Sequence, residues 1–314
     1  MKIILPGGTG QLGRILTREF TRAGHECVLL TRHPTRPSGP ARAVAWDGHT
    51  LGPWADELDG AGVVVNLAGR IVDCRYSAAN LEELMRSRVD STRVVGEAIA
   101  IARRPPRVWL QASTATIYAH RHDAPNDEHS GRIGGAEPGV PALWQRSVEI
   151  GLAWEAALAA ARTPDTRRIA LRTTMVMSAE KGGAFSAFAG LCRIGLGRHG
   201  SGRQFVSWIH EYDFAAAINW LIAHEELDGP INIGAPDPLP NRDFVAAIHR
   251  ALGSRLAVPI PVWLLEIGAF FRRTETELLL KSRRVTPARL LENGFVFRFP
   301  SWPEAARELI ARRN

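Results

Sequence analysis

Cysteine is one of the scarcest residues in this 314-residue chain, with only three copies. Cys27, Cys74 and Cys192 do not have the spacing of ligands in a metal centre. Their odd number also argues against a disulfide framework of the kind found in secreted domains. These absences predict a protein without a structural metal, folded in a reducing, cytoplasmic setting.

Lysine is equally scarce, although the chain is basic. Lys2, Lys181 and Lys281 are the only lysines among 39 Lys and Arg residues, and the formal net charge is +7. The arginines are dispersed, and no basic run is interleaved with the aromatic residues that a nucleic-acid surface would use. We therefore expect no nucleic-acid partner.

Long hydrophobic runs are missing as well. No uninterrupted apolar stretch is long enough to span a bilayer. The apolar run at residues 2–5 passes directly into a glycine-rich turn, so we expect a first strand rather than a signal peptide. With 45% apolar residues, the chain can build one large domain, or a nucleotide-binding domain with a smaller appendage.

The most informative feature present is that glycine turn. Residues 7–13 read Gly-Gly-Thr-Gly-Gln-Leu-Gly and precede a helix-like stretch at 14–23. A strand-to-helix turn of this kind uses glycine for a tight bend, for close approach of a pyrophosphate and for packing of the helix on the strand. The N–H groups of the helix then face the anion, although a glycine turn without a ligand is the alternative. The predicted dinucleotide-binding residues are Gly7, Gly8, Thr9, Gly10, Gln11, Leu12 and Gly13.

The end of the second predicted strand selects between the two nicotinamide dinucleotides. An acidic residue there would bind a ribose hydroxyl, whereas an arginine accommodates a 2′-phosphate. The strand ends in Thr31-Arg32, no acidic residue follows it before Asp47, and Arg36 lies nearby. This pattern favours NADP (NADPH) over NAD, with Thr31 and Arg32 as cofactor residues. The alternative is that Arg32 is one more surface arginine.

Strand-like and helix-like runs alternate through the first half of the chain. Predicted helices at 14–23, 81–102 and 143–161 separate predicted strands at 2–5, 27–30, 43–46, 63–67, 108–111 and 169–172. Such alternation predicts an α/β fold, a Rossmann-type doubly wound parallel sheet with a smaller, mostly helical carboxyl-terminal cap.

The same pattern suggests a domain organisation. We expect residues 1–172, completed by about 207–234, to form the NADP-binding domain. Residues 173–206 and 235–314 are expected to form the substrate and cap region. The segment 182–203 is rich in glycine and small residues and is predicted to be a mobile substrate loop.

Three further segments carry a family resemblance. With the glycine turn, the sequences Asn-Leu-Ala-Gly at 66–69, Ser-Thr-Ala-Thr-Ile-Tyr at 113–118 and Leu-Arg at 171–172 resemble the extended short-chain dehydrogenase/reductase family. Shorter stretches, among them 87–89, 207–210 and 284–291, resemble its atypical branch of epimerase-family or cell-division-inhibitor-like proteins. The resemblance implies NAD(P)-dependent chemistry, with Leu67, Ala68 and Gly69 beside the cofactor. It also places Arg88 where the wider family has a helix asparagine, so that either a buried cation faces the cleft or an ordinary arginine lies on the helix surface.

The family's catalytic pair is not present. In the family a Tyr-x-x-x-Lys pair moves a proton to or from the substrate oxygen. Here the position four residues after a tyrosine is never a lysine: Tyr76 is followed by Asn80, Tyr118 by His122 and Tyr212 by Ala216. Alignment on Glu155 puts Ser147 and Gly151 in the tyrosine and lysine places.

Two residues remain as catalytic candidates. Thr114 matches the family's substrate-positioning Ser/Thr, and Tyr118 follows it at the end of the same strand. Tyr118 either donates a proton to the substrate or is a half-buried ring with a satisfied hydroxyl. No metal is expected, since His120 and His122 are a loop pair without a third ligand. His210 fits a packed, hydrogen-bonded histidine better than a base.

The leading hypothesis is an NADP-binding oxidoreductase or epimerase that acts on an unknown hydroxyl or carbonyl compound, a sugar nucleotide being one candidate. The alternative is a non-catalytic NADP sensor or scaffold, with a role in cell division as one option. The sequence does not decide the substrate, the direction of reaction or whether the chain forms a homodimer.

Overall fold

The structure is a computed structural model that describes residues 1–34, 41–254 and 256–313. Its strands are β1 (Lys2–Pro6), β2 (Glu26–Thr31), β3 (Arg42–Ala45), β4 (Val63–Asn66), β5 (Val108–Thr114), β6 (Arg167–Thr173), β7 (Met175–Met177), β8 (Leu196–His199), β9 (Phe205–Val206), β10 (Trp208–His210), β11 (Gly229–Ile233), β12 (Leu239–Pro240) and β13 (Val258–Ile260). Its helices are α1 (Gln11–Arg22), α2 (Ala78–Ile101), α3 (Ala142–Ala159), α4 (Ala184–Arg193), α5 (Glu211–Ala223), α6 (Asn241–Leu252), α7 (Val262–Arg272), α8 (Glu277–Leu280), α9 (Ala288–Glu292) and α10 (Trp302–Ala311). Short 3₁₀ turns are present at Pro53–Leu58 and Ala115–Ile117.

Seven parallel strands form the central sheet, in the order β11-β6-β5-β4-β1-β2-β3. Ile3 of β1 pairs with Cys27 of β2 on one side and with Val63 of β4 on the other. The chain therefore runs outward from β1 in both directions, and the strand order reverses between β1 and β4. Ligands of doubly wound sheets bind at the carboxyl ends of the strands beside this reversal.

Helices cover both faces of the sheet because alternate strand residues point in opposite directions. On one face Ile3 packs in a cluster with Leu16 of α1 and Ile218 of α5. On the other face Ile4 packs in a cluster with Val95 of α2. The predicted α/β class and Rossmann-type doubly wound sheet are confirmed.

A second cluster holds the smaller, mostly helical cap together. Phe244 of α6 stacks on Trp302 of α10 with ring centroids 4.0 Å apart, and Phe188 of α4 lies 5.1 Å from Phe244. The pairs β8 with β13 and β9 with β12 add two small sheets. The cap supplies the wall that faces the carboxyl edge of the large sheet.

The prediction of a loop at 182–203 is wrong. Helix α4 and strand β8 lie within this segment. Phe185, Phe188 and Cys192 recur at helical spacing and bury an apolar face in the cap cluster, which the glycine content of the segment concealed. Across the described ranges, no helix combines the length and the apolar character that a bilayer crossing needs.

Candidate functional site

Three of the four glycines in the turn after β1 show how their surroundings differ. Gly7 has a φ of +73°, and a Cβ there would lie 2.8 Å from the backbone nitrogen of Ala68. A Cβ at Gly13 would overlap the backbone of Gly8. A Cβ at Gly10 would approach only the Gly7 carbonyl oxygen, at 3.4 Å. Gly7 and Gly13 are therefore required by the fold, whereas the space beside Gly10 is open to a ligand.

The N-terminus of α1 presents unused donors beside that space. The backbone N–H groups of Gln11 and Leu12 have no acceptor in the described part of the chain, and no side chain caps the helix at Gly10. The first turn holds no acidic residue, and the Nε2 of Gln11 is buried without a partner. Such a terminus attracts an anion. The backbone from Gly7 through Thr9 to Gly13 thus fits the pyrophosphate of a dinucleotide.

Thr31 and Arg32 lie at the carboxyl end of β2, the neighbour of β1. Thr31 is buried, and its hydroxyl oxygen accepts a hydrogen bond from the His33 backbone N–H at 3.4 Å. Arg32 is exposed, and no acidic side chain among the described residues pairs with it. Its guanidinium can therefore meet a phosphate at this end of the sheet. Arg36, the second arginine considered from sequence, lies outside the described residues.

The loop after β4 is held against the glycine turn. The Asn66 side chain accepts a hydrogen bond from the Ala68 N–H at 3.0 Å and donates one to Gln111 at 2.9 Å. The Leu67 N–H donates to the Pro6 carbonyl at the end of β1. Leu67, Ala68 and Gly69 are thereby fixed beside the turn, and their contact with a cofactor stays a prediction.

Arg88 of α2 is a buried cation at the same edge of the sheet. Its guanidinium lies 5.0 Å from the ring centroid of Trp154 and donates to the carbonyls of Leu84 and Arg70. A Cβ at Gly69 would lie 3.4 Å from the Arg88 side chain. Burial lowers the pKa of Arg88 to about 10. Arg88 is therefore not a surface arginine, and within the described ranges no carboxylate neutralises it.

A cavity of about 180 Å³ lies at the carboxyl ends of β5 and β6. Apolar side chains form much of its wall. The polar and charged groups that line it include Tyr76, Arg88, Thr114, Ser147, Glu277 and Arg283. Thr114, expected from sequence to position the substrate, thus lies on the wall of a cavity at the reacting end of the sheet.

The place of the family lysine is closed by packing. Gly151 of α3 lies against Ile117, and a Cβ at Gly151 would overlap the Cγ2 of Ile117. The same Cβ would lie 3.2 Å from the Cγ2 of Thr114. A lysine could enter only if the side chain of Ile117 moved. A longer side chain at Gly151, the position that the sequence aligns with the family lysine, would thus collide with Ile117.

Tyr118 does not line the cavity. Its ring is buried, and its hydroxyl donates to Asn232 Oδ1 at 3.0 Å and accepts from Arg172 at 2.9 Å. Arg172 in turn pairs with Glu155, which accepts a hydrogen bond from Ser113. Burial raises the pKa of Tyr118. This placement supports the second interpretation given above, a packed ring with a satisfied hydroxyl, and not a proton donor that faces substrate.

Sequence reasoning missed a cluster of three residues on the wall of the cavity, Tyr76, Ser147 and Glu277. The Oη of Tyr76 lies 3.1 Å from the Oγ of Ser147, and Ser147 donates to Glu277 Oε2 at 2.6 Å. Burial and the charge of Glu277 raise the pKa of Tyr76 to about 12. Tyr76 lies in the loop after β4, so the rule that ligands bind at carboxyl ends could have nominated it. Nothing in the sequence pairs it with residue 277.

Two cations surround the carboxylate of that cluster. Glu277 Oε1 lies 3.6 Å from Lys281 Nζ and 3.8 Å from an Arg283 nitrogen. Lys281 also donates to the Thr116 carbonyl at 2.8 Å. Burial, followed by the charge of Arg283, lowers the pKa of Lys281 to about 8. The carboxyl-terminal cap thus brings two buried charges, Glu277 and Arg283, to the cavity wall, with Lys281 behind them.

The histidines considered from sequence make protein contacts. His120 Nδ1 accepts a hydrogen bond from the Ser282 N–H at 2.8 Å. His210 is fully buried, and its Nε2 lies 2.9 Å from Glu308 Oε2. In the ranges that the structure describes, no three His, Cys, Asp or Glu side chains are grouped so as to hold a metal.

A larger groove of about 1260 Å³ lies at the opposite edge, by the amino ends of β5, β6 and β11. Two arginines on its wall are already engaged. Arg167 donates to the carbonyls of Leu227 and Leu221, and Arg168 donates to that of Ala161. These arginines bind carbonyl groups at or just after the ends of α5 and α3, so they are not available to a ligand. The groove is also remote from the glycine turn, and its size therefore does not make it the candidate site.

The open glycine turn and the cavity at the carboxyl edge define a dinucleotide-binding protein of the α/β class. The model of the NAD-dependent epimerase/dehydratase family matches residues 3–234, and a domain of unknown function, DUF1731, matches residues 260–309 in the cap. The chain belongs to the NAD-dependent epimerase/dehydratase family.

Relatives match the chain over its whole length. Human epimerase family protein SDR39U1 is 31% identical over 99% of this chain and 100% of its own. The epimerase family protein YfhF of Bacillus subtilis is 28% identical over 100% of this chain and 99% of its own.

Solved structures share the fold. The crystal structure of human SDR39U1 with NADPH has a TM-score of 0.84 at 29% identity and covers 99% of each chain. The UDP-N-acetylglucosamine 4-epimerase of Bacillus cereus has a TM-score of 0.75 at 19% identity, over 100% of this chain and 99% of its own.

Proposed function

We propose that the protein binds NADP(H) and acts as an oxidoreductase or epimerase on a substrate hydroxyl or carbonyl group, with a sugar nucleotide as one candidate. The observation that carries the proposal is the open N-terminus of α1, where unused N–H donors border the space beside Gly10. Human SDR39U1, a relative of the same fold, was crystallised with NADPH.

The cofactor residues divide into three groups along the carboxyl edge. The turn at residues 7–13 holds the pyrophosphate through its unused backbone N–H groups, among them those of Gln11 and Leu12, because these groups form the positive end of the α1 dipole. At the end of β2, Thr31 and Arg32 hold the ribose and its 2′-phosphate. The nicotinamide end, which supplies a hydride donor or acceptor when bound, lies beside Leu67, Ala68, Gly69 and Arg88.

Thr114 and Tyr118 have different parts in this proposal. Thr114 lies on the cavity wall, and we assign its hydroxyl the positioning of the substrate oxygen. Tyr118 acts from behind the cavity wall. Its hydroxyl forms hydrogen bonds with Arg172 and Asn232 and so holds the ends of β6 and β11 in place. We therefore assign Tyr118 a positioning role in place of the proton transfer that the sequence suggested.

A non-catalytic NADP sensor or scaffold, including one with a role in cell division, is the second candidate. The observation that favours it is the closed lysine place, where Ile117 fills the space beside Gly151. Such a protein would bind NADPH at the same turn without turning it over.

Cofactor binding and turnover separate the two candidates. Purified protein is titrated with NADPH and followed by nicotinamide fluorescence, and NADPH consumption is then measured with UDP-glucose, benzaldehyde and 9,10-phenanthrenequinone. Binding with turnover of any probe supports the enzyme, whereas tight binding without turnover supports the sensor. Absence of NADPH binding would remove both.

We propose the domain organisation that the sequence suggested. Residues 1–172 with 207–234 form the cofactor domain, and 173–206 with 235–314 form the substrate and cap region. Cys27, Cys74 and Cys192 are free thiols, which suits a reducing cytoplasm. A homodimer is one assembly that sedimentation of the purified chain would test.

A further inference from the structure

The wall of the cavity holds few groups that can exchange a proton with a substrate oxygen. Arg88 and Arg283 retain their protons too firmly for acid–base work near neutral pH. Threonine hydroxyls such as that of Thr114 orient a substrate but do not ionise readily. Among the described lining residues this leaves the phenol of Tyr76 and the carboxyl group of Glu277, of which Glu277 is 1% exposed.

The contacts of Ser147 indicate the direction of hydrogen-bond donation between Tyr76 and Glu277. Serine has one O–H, and the 2.6 Å contact with the Glu277 carboxylate uses it. With that proton used, the phenol of Tyr76 is the group that can donate across the 3.1 Å contact between Tyr76 Oη and Ser147 Oγ. An ordered chain therefore runs from the cavity through Tyr76 and Ser147 to a buried carboxylate.

We propose that Tyr76 is the acid–base group of this cleft and that Ser147 and Glu277 form the proton relay behind it. The inference rests on the proposed function, and it gives the missing tyrosine a replacement that enters from a different loop. Ser147 occupies the family tyrosine's place on α3, and the phenol of Tyr76 reaches its hydroxyl from the loop after β4.

The relay balances for oxidation of a hydroxyl group. The substrate proton passes to Tyr76 Oη as the phenolic proton passes to Ser147 Oγ and the serine proton passes to Glu277 Oε2. Three O–H bonds break and three form, and Glu277 ends as the neutral acid. The hydride on the substrate carbon leaves to the oxidised nicotinamide dinucleotide. Reduction of a carbonyl group uses the same bonds in reverse.

Unmet hydrogen-bonding capacity indicates that this cluster does more than attach the loop after β4 to the cap. Glu277 Oε1 and an Arg283 nitrogen are buried and face each other as an ion pair at 3.8 Å, but neither makes a hydrogen bond within the described chain. Leaving buried hydrogen-bonding capacity unmet costs stability, and native proteins do so chiefly at functional sites. The backbone of Tyr76 is separately anchored, since its N–H donates to Glu275 at 2.9 Å. A purely structural attachment of the loop after β4 to the cap would therefore not need the phenol of Tyr76.

The chain's three tyrosines allow a test that does not depend on the substrate. Protein labelled with [ζ-¹³C]tyrosine gives three signals, which Tyr76→Phe, Tyr118→Phe and Tyr212→Phe assign. NADP⁺ carries a positive charge on the nicotinamide ring that NADPH lacks. We expect the Tyr76 signal to differ between the two complexes, while those of Tyr118 and Tyr212 coincide. We also expect Glu277→Gln to lower the pKa of Tyr76, because it removes a facing negative charge.

Turnover with the three probes named above completes the test. Tyr76→Phe should lose about a hundredfold in turnover, the contribution of a positioned acid, and keep its NADPH affinity. Ser147→Ala should lose less, with partial recovery in Ser147→Thr, and Tyr212→Phe should match the wild type.

Each failure points to a different error. NADPH binding with identical Tyr76 signals for NADP⁺ and NADPH, or full turnover by Tyr76→Phe, would overturn the relay alone. A wild type that binds NADPH and turns over no probe would overturn the relay and the enzyme and leave the cofactor site. A wild type that binds no NADPH would overturn the proposed function as a whole.

Discussion

Gly10 is the residue of the turn at which a side chain would meet a ligand before it meets the protein. A Cβ there clears the backbone at 3.4 Å, and its φ of −71° suits any residue. We expect Gly10→Val to abolish NADPH binding, because a branched side chain fills the space of the pyrophosphate. Fluorescence titration measures the affinity, and urea unfolding should show stability close to the wild type.

The matched control is Gly190→Val, at an exposed helix position with nothing within 4 Å of an added Cβ. It should bind NADPH as the wild type does. Undiminished affinity in Gly10→Val would show that the turn does not hold the cofactor.

Arg32 tests the choice between the two dinucleotides. A charge-assisted contact with the 2′-phosphate is worth about 1.5–3 kcal/mol. Arg32→Ala should therefore weaken NADPH binding by tens of fold and leave NADH binding nearly unchanged. The exposed Arg103→Ala serves as the charge-matched control. Equal losses for both dinucleotides would mean that Arg32 contacts some other part of the cofactor, or none.

The roles of residues that depend on near neighbours in the chain could be predicted from the sequence. The spacing of Gly7, Gly10 and Gly13 predicts a strand-to-helix turn because the strand, the turn and the helix follow one another in the sequence, whereas the approach of Gly7 to Ala68 could not be predicted in this way. The Tyr76 cluster was not within reach, since Ser147 lies 71 positions from Tyr76 and 130 positions from Glu277. Only the packing of the cap against the loop after β4 brings these residues together.

At the scale of elements, Tyr118 ties together the ends of two strands. Removal of its hydroxyl leaves Arg172 and Asn232 each one hydrogen bond short in a buried site. Tyr118→Phe should therefore lower the free energy of unfolding by about 1–3 kcal/mol. Urea unfolding measures this change, with Tyr212→Phe as control, and NADPH affinity should stay the same. Lost turnover at unchanged stability would restore Tyr118 as the proton donor.

His199 at the end of β8 makes the cap sensitive to acid. The ring is 1% exposed and stacks on Phe188, and burial lowers its pKa to about 4. In the unfolded chain the pKa of His199 is about 6.5, so below that pH the unfolded chain binds a proton at this residue. The native state does not bind this proton until the pH falls to about 4. Stability from this group is thus complete above pH 6.5 and falls as the pH drops.

We expect the linkage to His199 to lower the free energy of unfolding by about 2 kcal/mol when the pH falls from 7 to 5. His199→Leu should remove that part of the pH dependence, and urea unfolding of both proteins at the two pH values isolates it. The same loss in wild type and variant would show that other groups carry the acid sensitivity.

Strands and helices with regular patterns were predictable as elements. Short apolar runs alternating with amphipathic stretches identified the parallel sheet because parallel strands need helical crossovers. The segment at 182–203 was not identified, since its glycines mask the helical spacing of Phe185, Phe188 and Cys192. An element is hidden in this way when its apolar face matches a partner that is distant in sequence.

At the scale of the whole molecule, the cofactor edge of the sheet and the cap form one cleft. Loop 67–77 contacts the glycine turn through Ala68 and the cap through Tyr76. A ligand at the turn therefore adjoins residues from both halves of the chain. We expect the chemistry of the cleft to depend on this assembly, and most of the affinity for the dinucleotide to come from the first half of the chain.

The most direct test of this account is calorimetric titration of the wild-type protein with NADPH and with NADH. The account predicts one NADPH bound per chain, at least about tenfold more tightly than NADH, as one charge-assisted contact allows. Equal affinities for the two dinucleotides, or no binding of either, would contradict it.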